Sequence, residues 1–485
     1  MEYSQLRANP FLVMIVVMVS LAFGICSFTY VPIDIMFALM GLMFLIFLLV
    51  EIPKLGLYAT LLLLPVFWSP FLDAQLLGIS GIKISVVLPL IAFLYLIFVI
   101  KPRKIQGEDQ VFFLIFIGVF TVSIVRSFSY LKVRSISYGE ELTALSHFST
   151  NYLRPLLVFL IVIILAAYIR SEKDIKQVTK VILGSSVIAI ALMIYSVSDA
   201  SFSDFEIVRT KIQENCGMHP GYFANYFLCL IPLTLLLAIK MKWKLCYLLL
   251  GIEIVGVALT FSRASYGVAI VSIVITLLIC KKVKAIVAIV VASPIFYLLI
   301  PNMIIQRALS GIAENNVSII SAGRVDSIWK PLLQELSTNS KFLLFGNGRY
   351  GIYHTTSYQS GASLSVNNAH NIFLDIVCDG GIIALIFFVI FFVHYLKKFY
   401  KVAKLTINPL YQSILYGSFL GILGFIVKGT TDGVFWPESS NAIIYVLLGI
   451  AIAVVYRYNE KLNYVARVTK EEELEENNTV RGLTP

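Results

Sequence analysis

The chain has 485 residues, of which 59% are hydrophobic and only 14% are charged, whereas a soluble globular protein is roughly 25% charged. This composition excludes an ordinary soluble enzyme, a disordered protein and a fibrous protein. The net charge of +10 does not imply nucleic acid as a partner, because polytopic membrane proteins carry Lys and Arg as topology signals. The six cysteines form no CxxC pair and mostly fall in apolar runs. They are therefore predicted to be buried, and neither a disulfide framework nor a zinc site is expected.

Apolar runs recur along the whole chain. A transmembrane helix needs ~20 apolar residues, with a range of ~17–25. Candidate spans lie near residues 11–28, 33–50, 55–72, 86–100, 111–125, 153–169, 178–197, 221–239, 245–260, 264–280, 283–300, 372–393, 413–427 and 442–456. Because neighbouring short runs could be miscounted, the pattern predicts an all-α polytopic integral membrane protein with about 12–14 transmembrane helices.

Lys and Arg are distributed unevenly between the predicted loops. If the N-terminus is cytoplasmic, 17 of them fall within the 50 residues of the short inside loops, namely 101–110, 169–180, 240–244, 281–284 and 394–412. Only 10 fall within the 121 residues of the long outside loops, namely 126–152, 198–220 and 301–371. This asymmetry follows the positive-inside rule. It predicts a multi-pass protein of the cytoplasmic membrane with both termini in the cytoplasm.

The predicted outside loop 301–371 is far longer than two neighbouring spans need, and such loops are usually functional or disordered. Apolar residues recur at helical spacing within 322–337, which predicts an amphipathic helix. This helix is expected to lie on the outer membrane surface or to cover a cavity there. Ser321 is a candidate N-cap, and Pro331 could kink or break the helix.

A glycine-rich stretch follows this helix. Gly346, Gly348 and Gly351 spell G-x-G-x-x-G, but the dinucleotide fingerprint requires a preceding strand, a following helix and a βαβ unit. Here the stretch lies in an outside loop and continues into a Ser- and Asn-rich segment, so we interpret it as a turn. The sequence also lacks a Walker-type G-x-x-x-x-G-K-[ST] motif, and no cofactor is indicated.

Five ionisable residues map to the predicted outer face, namely Arg154, Arg209, Arg263, Arg324 and His370. Ionisable residues at this depth are costly and are functional candidates by default. Arginine presents a fixed fork of donors that suits phosphate oxygens, and histidine can accept a proton near neutral pH. No acidic cluster with metal-ligand spacing occurs in the predicted outside loops, so no metal site is predicted.

Most of these residues also have a purely structural explanation. Arg154, at the start of a span, could snorkel to the lipid headgroups, and Arg209 could be a solvated loop charge. His370 could simply cap the helix that follows it. Arg263 has no such explanation, because its turn is only a few residues long and apolar on both sides.

Three segments, LTFSRASYG, GRVDSIWKPL with FGNGRYG, and NNAHNIFLDIVCDGGIIALIFF, resemble the bacterial O-antigen ligase and polymerase superfamily. The resemblance covers about 245–395, and CGMHPGYFANYFLCLIPL upstream is also similar. Members are integral membrane, metal-independent glycosyltransferases that use a polyprenyl diphosphate-linked oligosaccharide at the outer face of the cytoplasmic membrane. The resemblance implies polymerisation or transfer of an undecaprenyl diphosphate-type repeat unit in the biosynthesis of O-antigen, capsule, exopolysaccharide or teichuronic acid.

The resemblance also implies roles for individual residues. It places Arg263 and Arg324 where the donor diphosphate is held, and His370 where a general base or positioning group meets the acceptor hydroxyl. Arg154 and Arg209 are added as diphosphate ligands from the residue pattern. The implied partners are the lipid-linked donor, a glycan acceptor, membrane lipid and other membrane proteins of polysaccharide assembly, without nucleic acid.

On this interpretation the chain consists of N-terminal transmembrane helices (1–244), a ligase/polymerase-like core (245–395) with the outer loop, C-terminal transmembrane helices (396–456) and a cytoplasmic tail (457–485). A ligase would pass the glycan to a lipid A core, whereas a polymerase joins two lipid-linked units. A polymerase is favoured because the sequence gives no sign of a Gram-negative outer membrane. A flippase or transporter would have short loops on both faces, which the 71-residue outer loop and the one-sided arginines argue against.

Overall fold

A computed structural model describes residues 53–67, 105–131, 143–198, 204–309, 321–360 and 368–481, together with Ser69 and Leu90. The predicted spans 11–28, 33–50 and, apart from Leu90, 86–100 lie outside the described residues. Each of the other predicted spans overlaps a described helix, and no strand occurs in the part of the chain that the structure describes. The predicted all-α class is confirmed.

The described part of the chain is almost entirely helical. The described helices of six or more residues are, in chain order, α1 (Pro53–Leu63), α2 (Gly107–Ser127), α3 (Ala144–Tyr168), α4 (Glu172–Val197), α5 (Phe205–Cys216), α6 (Pro220–Lys240), α7 (Leu245–Leu259), α8 (Arg263–Ile279), α9 (Val283–Leu299), α10 (Asn302–Leu309), α11 (Val325–Trp329 continued by Lys330–Thr338), α12 (Ser340–Phe345), α13 (Ile372–Leu405), α14 (Pro409–Gly429) and α15 (Ala442–Arg481).

Seven of these helices are long and apolar enough to cross a membrane, namely α2, α3, α4, α6, α13, α14 and the first part of α15. Shorter apolar helices lie at α1, α7, α8 and α9. The protein is therefore a multi-pass membrane protein. Two helices run past the boundaries expected from sequence: α13 continues beyond residue 395, and α15 continues through the expected tail as far as Arg481.

The helices α6 and α14 form the centre of the helical bundle. A Cβ on Gly417 of α14 would lie 2.7 Å from Cα of Leu233, and one on Gly421 would lie 2.4 Å from the carbonyl oxygen of Cys229. Small residues allow such close approach of membrane helices. Because α6 and α14 are antiparallel, the start of α6 and the end of α14 meet at one face, which also carries the start of α8 and of α13.

The amphipathic helix expected at 322–337 is present as α11. Its residues Ile328, Leu332 and Leu336 are buried, and they pack against protein rather than lying free on a surface. Ser321 Oγ accepts a long hydrogen bond of 3.5 Å from the amide of Val325. The helix does not break at Pro331; instead the turn before the proline widens into a π-helix, which accommodates a ring that cannot fit a regular helical turn.

The glycine-rich stretch closes the loop onto α13. Gly346 and Gly348 have φ of 64° and 89°, and α13 itself is kinked at Gly381, with φ of 74°. A Cβ on Gly346 would lie 2.5 Å from the backbone of Asp379, and one on Gly351 would lie 2.1 Å from the carbonyl oxygen of Cys378. These glycines are therefore needed for turns and close backbone contact, as expected, and no described strand precedes them.

Candidate active site

A cavity of about 500 Å³ opens where the ends of α5, α6, α8, α10 and α11 converge with the segment after α14. Its polar lining is strongly cationic, since four arginines and one carboxylate face it among the described residues. The residues that line it and carry ionisable groups are Arg209, His219, Arg263, Arg307, Arg324 and Asp432. An arrangement of this kind favours a polyanionic ligand.

Arg209 is held at the cavity by α5, which begins at the N-cap Asp204. Its Nη1 lies 3.1 Å from Oε1 of Glu206, and its Nη2 donates to Nε2 of His219 at 3.0 Å. Burial lowers the pKa of His219 to about 4. The imidazole is therefore neutral near pH 7 and can accept from the guanidinium, which can only donate.

Arg263 follows the tight turn between α7 and α8, and Arg307 contacts the same turn from α10. The chain reverses between α7 and α8 through Phe261, which has φ of 50°, so Arg263 becomes the first residue of α8. Arg307, on α10, donates from Nε to the carbonyl oxygen of Phe261 at 3.4 Å, and its guanidinium lies 4.5 Å from the ring centroid of Phe205. Burial, Arg209 and Arg263 lower the pKa of Arg307, which reflects the concentration of positive charge here.

Arg324 stands immediately before the π turn of α11. It donates from Nη1 to the carbonyl oxygen of Thr431, and its Nη2 lies 3.7 Å from Oδ1 of Asp432. Arg263 lies within electrostatic range of both Arg324 and Arg209. The residues Ala322 and Gly323 before it both have positive φ, so a sharp turn sets the position from which Arg324 extends.

His370 lies beside the cavity and is oriented by Asp432. Its backbone has φ of 49° and its amide donates to Oδ1 of Asn368 at 2.9 Å. Its Nδ1 lies 3.0 Å from Oδ1 of Asp432. Because α13 begins directly after the N-cap Asn371, the imidazole is fixed at the start of a rigid helix.

Asp432 is an ionised carboxylate at the centre of this group. Burial alone would raise its pKa, but Lys428, the hydrogen bond from His370 and Arg324 hold that pKa well below its usual range. A carboxylate can only accept, so Nδ1 of His370 is the donor. This hydrogen bond fixes the tautomer of the neutral imidazole, in which the free electron pair is on Nε2. Gly221 makes room for this arrangement, since a Cβ there would lie 2.3 Å from Oδ2 of Asp432.

Of the residues singled out from sequence, Arg209, Arg263 and Arg324 line one cavity, and His370 adjoins it through Asp432. Arg154 does not line this cavity. It is buried at the junction of the π turn and the regular part of α3, and its charge acts on Glu438.

Glu438 belongs to a second buried network that holds the loop to the helices. Arg349 forms ion pairs with Glu438 and with Asp379. Its Nη1 lies 3.1 Å from Oδ2 of Asp379. The indole of Trp436 also donates to Asp379, at 2.7 Å. This network therefore joins the glycine-rich turn, α13 and the segment between α14 and α15.

Sequence reasoning missed Arg307, Asp432, Lys428 and His219 as members of the site. Arg307 lies in an eight-residue helix of the long loop, outside every quoted motif. Asp432 follows the end of a span on the same predicted face as the five candidates, which is the one signal that could have found it. Within the described residues, no group of three His, Cys, Asp or Glu side chains is placed to hold a metal ion.

Comparison with known families relates part of the chain to polysaccharide assembly. The family model described as O-antigen ligase matches residues 245–389. The matched segment runs from α7 into α13 and contains Arg263, Arg307, Arg324 and His370. No curated protein matches the chain.

Proposed function

We propose, from the match of residues 245–389 to the O-antigen ligase family in a multi-pass membrane protein, that the arginine-lined cavity holds the diphosphate of a polyprenyl-linked oligosaccharide. This match supports ligase- or polymerase-type function in polysaccharide assembly. The proposal adds the carrier, an undecaprenyl-type lipid, and the place of reaction, the outer face of the bacterial cytoplasmic membrane. The convergence of four arginines on one cavity is the observation that carries it.

The charge balance of the cavity suits a departing diphosphate. When the glycosidic bond to the diphosphate breaks, negative charge grows on the leaving oxygen, and pre-positioned cations stabilise that charge in the transition state. Each guanidinium can bind phosphate oxygens through two parallel donors. Arg209, Arg263, Arg307 and Arg324 would thus act where other enzymes use a divalent cation, and we propose a metal-independent reaction.

His370 is proposed to accept the proton of the acceptor hydroxyl. With Nδ1–H donated to Asp432, the basic nitrogen is Nε2. The negative charge of Asp432 would stabilise the imidazolium that forms, and it would keep the ring in one tautomer. Asp432 is therefore a positioning residue. We expect Asp432→Asn to lower kcat with little change in the donor KM.

A lysine series tests the diphosphate clamp. Lys keeps the charge but loses the planar fork, so Arg263→Lys and Arg324→Lys should lose most activity and accumulate the donor with a single repeat unit. Arg154→Lys should retain more activity, because Arg154 lies outside the cavity lining. Lys330→Gln is the matched control, since Lys330 is on α11 but exposed and paired with Asp326.

The measurement is the extracted lipid-linked intermediate and the polymer ladder of each variant, at matched protein level. Normal ladders without accumulated donor in both Arg263→Lys and Arg324→Lys would show that these residues are packing or topology charges. The purified protein in proteoliposomes provides the second arm. Chain extension or transfer to an acceptor supports the enzyme, whereas movement of the lipid-linked unit without extension would indicate a flippase.

A further inference from the structure

A second cleft lies at the opposite end of the helical bundle, between α4 and α7. It has a volume of about 720 Å³. The helix α6 begins at the arginine-lined cavity and ends at Lys240, and its 21 residues correspond to a length of about 30 Å. The cleft lies directly after that end, so it is a separate site from the proposed catalytic one.

The turn after α6 forms part of the rim of the cleft. Lys242 has φ of 56°, and the amide of Trp243 donates back to the carbonyl oxygen of Leu237 at 3.5 Å. This left-handed turn ends α6 and directs the Trp243 indole into the cleft. The ammonium of Lys180, on α4, lies 5.8 Å from the centroid of the indole ring, within the range of a cation–π contact.

Three lysines provide the charge of the cleft. Lys176 and Lys180 are one helical turn apart on α4, and Lys244 precedes α7. None of the described residues that line the cleft is a carboxylate. Glu172 approaches Lys176 at 3.2 Å from outside, but both side chains are substantially exposed, at 38% and 45%, and such pairs contribute little.

Apolar side chains continue inward from the lysines. Leu183 and Val187 lie along α4, and Leu245 and Leu249 lie along α7. Val187 and Leu245 remain exposed in the protein, at 43% and 66%. The cleft therefore has a cationic and aromatic rim and an apolar wall. A small soluble anion could bind the lysines but would not cover the apolar wall.

We propose that this cleft binds an anionic phospholipid. The lysines take the headgroup phosphate, the Trp243 indole lies at the level of the headgroup, and an acyl chain covers the apolar wall. Basic clefts between membrane helices bind anionic headgroups in this manner, and tryptophan favours the membrane–water interface. The site does not depend on the proposed catalytic function.

Native mass spectrometry of the purified full-length protein tests the proposal, with phosphatidylglycerol and phosphatidylcholine of equal acyl composition as probes. We expect retained phosphatidylglycerol and at least about a tenfold lower apparent affinity for it in Lys176→Gln/Lys180→Gln/Lys244→Gln. The triple Arg variant of the same positions keeps the charge and should retain binding. The control is Lys281→Gln/Lys282→Gln/Lys284→Gln, which removes three exposed lysines that do not line the cleft.

Three outcomes would overturn the proposal. One is equal retention of phosphatidylcholine, and another is equal loss of phosphatidylglycerol in the control variant. The third is displacement of phosphatidylglycerol by millimolar inorganic phosphate, which would show that the apolar wall contributes nothing. Because catalytic activity is not the readout, failure here leaves the proposed glycan transfer unaffected.

Discussion

Arg307 gives the sharpest test of the cavity, because the structure rather than any motif identifies it. Its Nε is held by the carbonyl oxygen of Phe261 at 3.4 Å, and its guanidinium lies over Phe205 at 4.5 Å. These contacts fix one edge of the guanidinium and aim the group at the cavity that Arg263 and Arg324 also line. Replacing Arg307 by Gln removes one of four cations without removing a core side chain.

The size of the effect follows from the bonds that Arg307 is expected to make. A hydrogen bond to a charged group contributes about 1.5–3 kcal/mol, and each 1.36 kcal/mol is a factor of about ten in rate. We therefore expect Arg307→Gln to lose about 10–150-fold in kcat/KM. Arg307→Lys should fall between this variant and the wild type, because it keeps the charge and loses the fork.

The assay is consumption of purified lipid-linked repeat unit by protein in proteoliposomes, compared at equal protein content with Lys330→Gln. A loss of activity in Arg307→Gln that Lys330→Gln does not show, with a normal thermal unfolding temperature, supports a role in binding the diphosphate. If Arg307→Gln instead consumed donor as fast as the control, the cavity would not be the diphosphate site in the form described.

Three other outcomes are expected. His370→Ala should reduce transfer by about 10²–10⁴-fold at normal membrane level, and wild-type glycan length would mean that His370 only caps α13. Gly348→Ala should lower the free energy of unfolding by about 1–3 kcal/mol in thermal unfolding, because Gly348 has φ of 89° and an added Cβ would lie 2.6 Å from the backbone nitrogen of Ser127. The control Gly118→Ala should not lower it, because a Cβ there would have no other atom within 4 Å. In a cysteine-free variant, an impermeant maleimide should label a cysteine at Ser360 in intact cells and one at Lys173 only after lysis; the reverse pattern would invert the topology.

The helices could be predicted from sequence because a membrane span leaves an unmistakable apolar run. The start of α8 is an example: the short polar turn around Arg263, between two apolar runs, already predicts an arginine at the end of a span. The amphipathic pattern of 322–337 likewise predicted α11, because only one face of that helix is buried. Local signals such as these require no knowledge of which helices are neighbours.

The contacts between distant segments could not be predicted in this way. Asp432 orients His370 from 62 positions away along the chain. Nothing in the sequence around either residue indicates that the two side chains are in contact. Arg307 reaches the cavity because the turn at Phe261 returns the chain beside α10. The position of Arg154 within electrostatic range of Glu438, instead of in the cavity, also depends on how α3 packs against the segment between α14 and α15.

The π turns illustrate the same limit on a smaller scale. Pro331 could kink or break its helix, but the preceding turn widens instead and the helix continues. A π turn likewise precedes Pro155 in α3. A proline in a sequence shows that a regular helical bond is lost, whereas the surrounding packing decides whether the chain bends, breaks or widens to absorb the loss.

The most direct test of the arginine-lined cavity is the stoichiometry of the reaction that it is proposed to catalyse. Purified protein in proteoliposomes would be given lipid-linked repeat units in the presence of EDTA, and glycosidic bonds and free polyprenyl diphosphate would both be counted. We predict one equivalent of polyprenyl diphosphate for each bond formed, with both products strongly reduced in Arg263→Lys, Arg324→Lys and His370→Ala. Bond formation without diphosphate release, or a reaction that EDTA stops and Mg²⁺ restores, would contradict the proposed metal-independent diphosphate clamp.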